Sequence, residues 1–147
     1  MYKYSRKDKW FMTWDKERIL ALSQKSTEYA MEKVCKYIIK EIKRDMRDSK
    51  HGVSYIIKGK EHRASKPDES PAILTNTLYD ALEYKIETHN NEIIGKIGVN
   101  IDKGLGDGYA LYLEVGTARM NGARPYLRNT VFQNKRRIVK ILEKGAF

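Results

Sequence analysis

Residues 109–128, YALYLEVGTARMNGARPYLR, decide how this chain is read. The run Tyr109, Ala110, Leu111, Tyr112, Leu113 is apolar enough to be buried, Glu114 closes it with one charge, and Gly116 marks a turn that tolerates positive φ. The chain then restarts. Pro125 suits the first position of a helix, where its missing N–H would have no intrahelical partner, and Leu127, Val131, Ile138 and Leu142 continue an apolar face. Periodicity alone leaves residues 109–115 open between a strand and two helical turns. Glu114 has a catalytic and a structural reading. Arg124 and Arg128 follow close behind, so an ion pair pinning the turn onto the helix start is the simpler account. Tyr109 and Tyr112 read as core or subunit interface rather than as a base-stacking platform, because no RNA-binding motif accompanies them.

Toward the N-terminus, from about residue 14 to 49, Met31, Val34, Cys35, Ile38, Ile39, Ile42 and Met46 recur at spacings of three and four, which predicts a long amphipathic helix. At about 100° per residue, Lys33, Lys36, Lys40, Lys43, Arg47 and Lys50 fall on its opposite face as a basic stripe. His51-Gly52 ends it. Residues 1–13 mix basic and aromatic side chains without periodicity and read as a surface arm ahead of a single domain, 14–147. Tyr4, Trp10, Phe11 and Trp14 suit either an anchor buried by a partner or packing on the chain's own sheet.

Residues 53–57 read as a short strand, and residues 58–70 as a polar loop that is exposed or ordered by a partner. Across 77–88 a helical turn passes into a strand. Ile93, Ile94, Ile97, Val99 and Ile101 supply a second strand, and His89-Asn90-Asn91-Glu92 between them has turn residues, predicting a hairpin. From Pro125 to about Lys144 an amphipathic helix exposes Lys135, Arg136, Arg137 and Lys140. The expected architecture is α+β: a long N-terminal helix and a C-terminal helix packed on a small antiparallel β-sheet.

The 147 residues are 41% hydrophobic and 33% charged, enough for one folded domain with a core. The net charge of +10 is unevenly placed: +8 over residues 1–63, −5 over 64–116 and +7 over 117–147. Basic ends around an acidic middle favour an anionic partner or contact between copies in which opposite patches meet. One cysteine, Cys35, and the lack of a signal peptide or long apolar run predict synthesis in a reducing cytoplasm, with no membrane span.

Enzyme signals fail. His51, His62 and His89 are widely spaced without ligand pairing, so neither a metal nor a cofactor is expected. Gly104-Leu105-Gly106-Asp107-Gly108 lacks the Lys-Ser/Thr of a phosphate loop, and Asp102 and Asp107 do not form a twelve-position calcium loop. No residue is assigned to catalysis.

The pattern Tyr109-Ala110, Tyr112, Glu114, Gly116-Thr117, a short polar loop, then Ala123-Arg124-Pro125-Tyr126-Leu127-Arg128 resembles the head–tail joining proteins of long-tailed phages, also called tail-completion, neck or minor capsid proteins. The segments Ala64-Ser65-Lys66-Pro67 and Ser70-Pro71-Ala72-Ile73-Leu74-Thr75-Asn76-Thr77-Leu78-Tyr79-Asp80-Ala81-Leu82 resemble the same family's Pro-rich loop and Thr-Gly-x-Leu-x-x-Ser stretch. Asn76 replaces the usual Gly and Ala81 the usual Ser; Asn keeps the turn accessible because it tolerates positive φ. The resemblance favours a helix over 109–115. It implies a structural virion protein that forms a ring, a hexamer, at the neck between the head connector or stopper and the tail terminator or tail tube, with genomic DNA passing non-specifically through the lumen. A second class stays open, a basic nucleic-acid-binding protein acting through phosphate contacts alone.

Overall fold

The computed structural model describes residues 16–105 and 108–145. Its first element, α1, is a 33-residue helix, Lys16–Asp48. Val34, Cys35, Ile38, Ile42 and Met46 are buried along one side, as their spacing predicts. The arm at 1–13, with Tyr4, Trp10 and Phe11, lies outside the described residues, as does Trp14.

Two hairpins follow. β1, Ser54–Ile57, pairs antiparallel with β2, Lys60–Arg63, so that Ser54 faces Arg63 and Ile57 faces Lys60. Four residues of the expected polar loop, Lys60–Arg63, are therefore strand. Its two-residue turn, Lys58-Gly59, has φ values of 49° and 76°, the left-handed pair that closes a tight hairpin. The remainder of that loop is also engaged. The amide of Asp68 donates to the Ala123 carbonyl at 2.9 Å, and Ser65, Ser70 and Pro71 are buried.

Asn76, at φ 60°, turns the chain into the short helix α2, Thr77–Ala81, which passes directly into β3, Leu82–His89. β3 pairs antiparallel with β4, Glu92–Val99, through Asn90-Asn91, both at positive φ. Leu82, Tyr84, Ile86, Ile97 and Val99 lie on the inner face of this sheet, which covers α1. Gly95 makes the close approach possible: a Cβ there would sit 2.7 Å from the Cys35 sulfur. The outer face sets Lys85 directly opposite Lys96, and Glu87 bridges both, at 3.4 and 2.6 Å. The Lys96 and Lys85 ammonium groups hold the Glu87 carboxyl below the usual carboxylate range.

After the 3-10 turn Ile101–Lys103 come three helices: α3, Tyr109–Val115; α4, Leu127–Gln133; and α5, Lys135–Gly145. The single C-terminal helix expected from Pro125 is thus two helices, and it starts two residues later. Asn134 divides them at φ −100° and ψ 8°, its side-chain amide donating to the Thr130 carbonyl while its oxygen accepts from the Tyr37 hydroxyl at 2.7 Å. The bend lays α5 along α1, where the Ser26 hydroxyl donates to the Gly145 carbonyl. The core joins Val34, Ile38, Ile42 and Met46 of α1 to Leu82, Ala110 and Tyr126. The result is an α+β fold in which a long N-terminal helix and C-terminal helices pack with small antiparallel sheets, two where one was expected. Among the described residues no helix is long and apolar enough to cross a membrane.

Candidate assembly surface

α3 and α4 are locked together by one carboxylate. Glu114 lies in the last turn of α3, and its Oε2 accepts from the backbone N–H groups of Tyr126 and Leu127 at 2.8 and 3.0 Å, while Oε1 accepts from that of Arg128 at 2.9 Å. These are the amides that the first turn of a helix leaves without partners, and a negative charge there also meets the positive end of the helix dipole. Glu114 is thus structural, but its partners are backbone amides rather than the guanidinium groups of Arg124 and Arg128. Because the carboxylate takes the amides of residues 126–128, the helix starts at Leu127, leaving Pro125 buried ahead of the cap residue Tyr126.

Both arginines support the same connection from outside. Arg128 donates to the Glu114 carbonyl at 3.3 Å, and the Arg124 guanidinium reaches the carbonyls of Asn121 and Gly122 at 3.1 and 2.8 Å. The Arg124 amide donates to the Leu113 carbonyl at 2.7 Å, closing the loop. Gly116 turns the chain out of α3 at φ 79°, and the Thr117 carbonyl accepts from Met120 at 3.0 Å in the next turn. Tyr126 fills the space beneath, almost wholly buried, with its hydroxyl 3.4 Å from the Ala110 carbonyl. Burial, with Glu114 nearby, pushes the Tyr126 phenol up to about 12.

The outer side of α3 departs from expectation. The run 109–113 is not a buried one: Tyr109 is 48% exposed, Leu111 60% and Tyr112 50%, as is Val115 beyond it at 59%, while Ala110 alone of the run is buried. A seven-residue helix anchored at Glu114 buries one narrow side and presents the rest to solvent. Tyr109 also lines a groove of about 240 Å³ between α3 and the β1–β2 hairpin, together with Tyr55, Leu74, Leu113 and Met120. Residues 71–74 separate this groove from a neighbouring cleft of about 230 Å³ beside Met46, Leu78 and Tyr79. The hairpin was missed in the sequence because KEHR, at 60–63, has no apolar alternation; Lys58-Gly59 was the available signal.

The basic stripe lies on another face. Lys33, Lys36, Lys40 and Arg47 are exposed, as expected, and Lys43 is half-buried with its ammonium 4.5 Å from the centre of the Tyr79 ring. Arg47 donates to the Tyr79 hydroxyl at 2.8 Å. Lys36 pairs with Glu32 at 2.7 Å, and that contact, with the Tyr84 hydroxyl, holds the Glu32 carboxyl below its ordinary range. Such cation–π and i,i+4 contacts keep the stripe ordered without neutralising it.

The histidines are scattered: His51 meets Glu69, His62 packs edge-on against Tyr55 with ring centres 5.1 Å apart, and His89 is exposed at the β3–β4 turn. Among the described residues no group of three or more His, Cys, Asp or Glu side chains is placed to hold a metal ion. No protein-family model, curated protein or solved structure matches this chain.

Proposed function

We propose that this chain is a non-enzymatic structural protein of a tailed-phage virion, forming a ring at the neck that joins the DNA-filled head to the tail. The two motifs at 64–82 and 109–128 suggest the family, and one observation carries the assembly role. The Glu114 cap fixes α3 rigidly while Leu111, Tyr112 and Val115 remain uncovered. Contiguous apolar side chains held on a rigid helix are what a protein interface requires, because ordering them costs little further entropy on association. In this reading the α1 stripe faces the DNA in the lumen, where lysines and arginines attract phosphates without reading bases.

The test is electron microscopy of particles made with and without a functional copy of the chain. Filled heads and free tails, separate until the purified protein is added back, are the expected outcome; equal numbers of joined particles would overturn the reading. The exposed stripe also favours a second reading, a DNA-binding protein that works through phosphates alone. That reading requires tight binding near physiological salt, and a titration at two salt concentrations separates the two.

A further inference from the structure

Among the apolar surfaces that the described residues leave uncovered, two lie near opposite ends of α1. The first is the start of that helix. α5 reaches back along α1 to Ser26, and residues 17–23 ahead of it are all exposed, with Ile19 at 38% and Leu22 at 62% on one side of the helix. The sequence places Trp10, Phe11, Met12 and Trp14 immediately before this end. The second is the groove between the β1–β2 hairpin and α3, where exposed Tyr55, Leu74 and Tyr109 converge. It lies near the other end of α1: Ala64 on its wall accepts from the Gly52 amide at 2.8 Å, four residues after the last helical residue, Asp48, and Leu74 and Tyr109 also line the cleft beside Met46.

The two surfaces cannot meet within one chain. A helix of 33 residues is about 50 Å long, so most of that length separates Lys16 from the groove near the other end. Trp10 precedes Lys16 by six positions, and six residues of fully extended chain span about 20 Å. The aromatic residues therefore fall well short of their own groove, whereas a second copy placed head to tail brings them to it.

We infer that the start of α1 and the aromatic residues preceding it dock in the hairpin–α3 groove of a neighbouring copy. The inference rests on the reading that copies of this chain assemble, and it names one further pair of surfaces through which they do so. A groove of about 240 Å³ suits one bulky aromatic anchor, with Ile19 and Leu22, which share one side of α1, closing over its rim. Because donor and acceptor surfaces differ, the contact is heterologous: every copy gives one helix start and receives one, and the arrangement closes into a ring where the rotation between copies permits.

Complementation of broken surfaces tests this with the full-length chain. Leu22→Glu combined with Trp14→Ala disables the donor, and Leu74→Glu disables the acceptor; Leu22 and Leu74 are exposed in the subunit, so folding is expected to survive both changes. By analytical ultracentrifugation the unaltered chain forms oligomers, each variant alone sediments as a monomer, and an equal mixture forms dimers and nothing larger. Disulfide trapping is a second readout. A Leu22→Cys chain mixed with a Leu74→Cys chain yields mostly heterodimer on oxidation, since the native Cys35 is buried. Oligomers that persist in the donor variant, or a mixture that stays monomeric without a cross-linked heterodimer, overturn the docking and leave the ring reading to the particle experiment. A chain that remains monomeric at every concentration also overturns the docking, while joining of heads to tails still decides the proposed function on its own.

Discussion

Glu114 shows how one side chain sets the geometry of its surroundings. Three amides share its two oxygens, so Glu114→Ala leaves the start of α4 uncapped in a partly buried setting. A loss of about 2–3 kcal/mol is expected, at the upper end for cap removal and in the range for hydrogen bonds to a charged group, measurable by urea unfolding. Gly116→Val should cost about 1–3 kcal/mol for a different reason: its φ of 79° excludes a β-branched residue. A Cβ there would also press on the Ala123 amide at 3.3 Å. An unchanged thermal midpoint would contradict this. Tyr126 supplies a pH dependence. Its folded-state value of about 12 lies above the ordinary tyrosine value of 10, so the unfolded chain ionises first as pH rises. The stabilisation is complete below pH about 10 and declines as pH climbs toward 12, by about 2–3 kcal/mol in total. Alkaline unfolding of Tyr126→Phe should lack this part of the decline.

At the scale of elements, α1 has a buried side and a charged side, and the two contribute unequally to stability. Replacing Lys33, Lys36 and Lys40 with Gln should shift stability by less than about 0.5 kcal/mol per site, because exposed charges and their surface pairs contribute little. Circular dichroism and thermal melting check this, and unfolding would mean that the stripe packs inward. The phase of α1 was legible in the sequence because its periodicity persists over many turns, and so was the Asn90-Asn91 turn, whose residues tolerate positive φ. β2 was not legible. Lys60, Glu61, His62 and Arg63 form a strand because Lys58-Gly59 returns them to β1, not through any preference of their own.

For the whole molecule, the central question is what the β1–β2 hairpin contributes. It pairs with itself and stands apart from the main core, and the residues flanking it, Gly52 and Ala64, are already joined by a hydrogen bond of 2.8 Å. Replacing residues 54–63 with a short Gly-Ser link is therefore expected to keep the cooperative unfolding of the remaining domain while removing one wall of the groove. Head–tail joining should fail with such a chain; normal numbers of joined particles would show that the hairpin has no part in assembly.

The sequence by itself determined the long helix and the side of it that is buried, the β3–β4 hairpin, and the turn at Gly116, because each follows from local spacing or from the backbone freedom of one or two residues. Tertiary structure decided the rest. The run 109–113 is apolar in either environment, and only the anchoring of Glu114 under α4 leaves Leu111 and Tyr112 facing solvent. The last helix begins at Leu127 and breaks at Asn134 because of a carboxylate 12 to 14 residues earlier and a tyrosine hydroxyl 97 residues away. Contacts over such separations leave no periodic trace in the chain, since they depend on which distant groups the fold brings within hydrogen-bond reach.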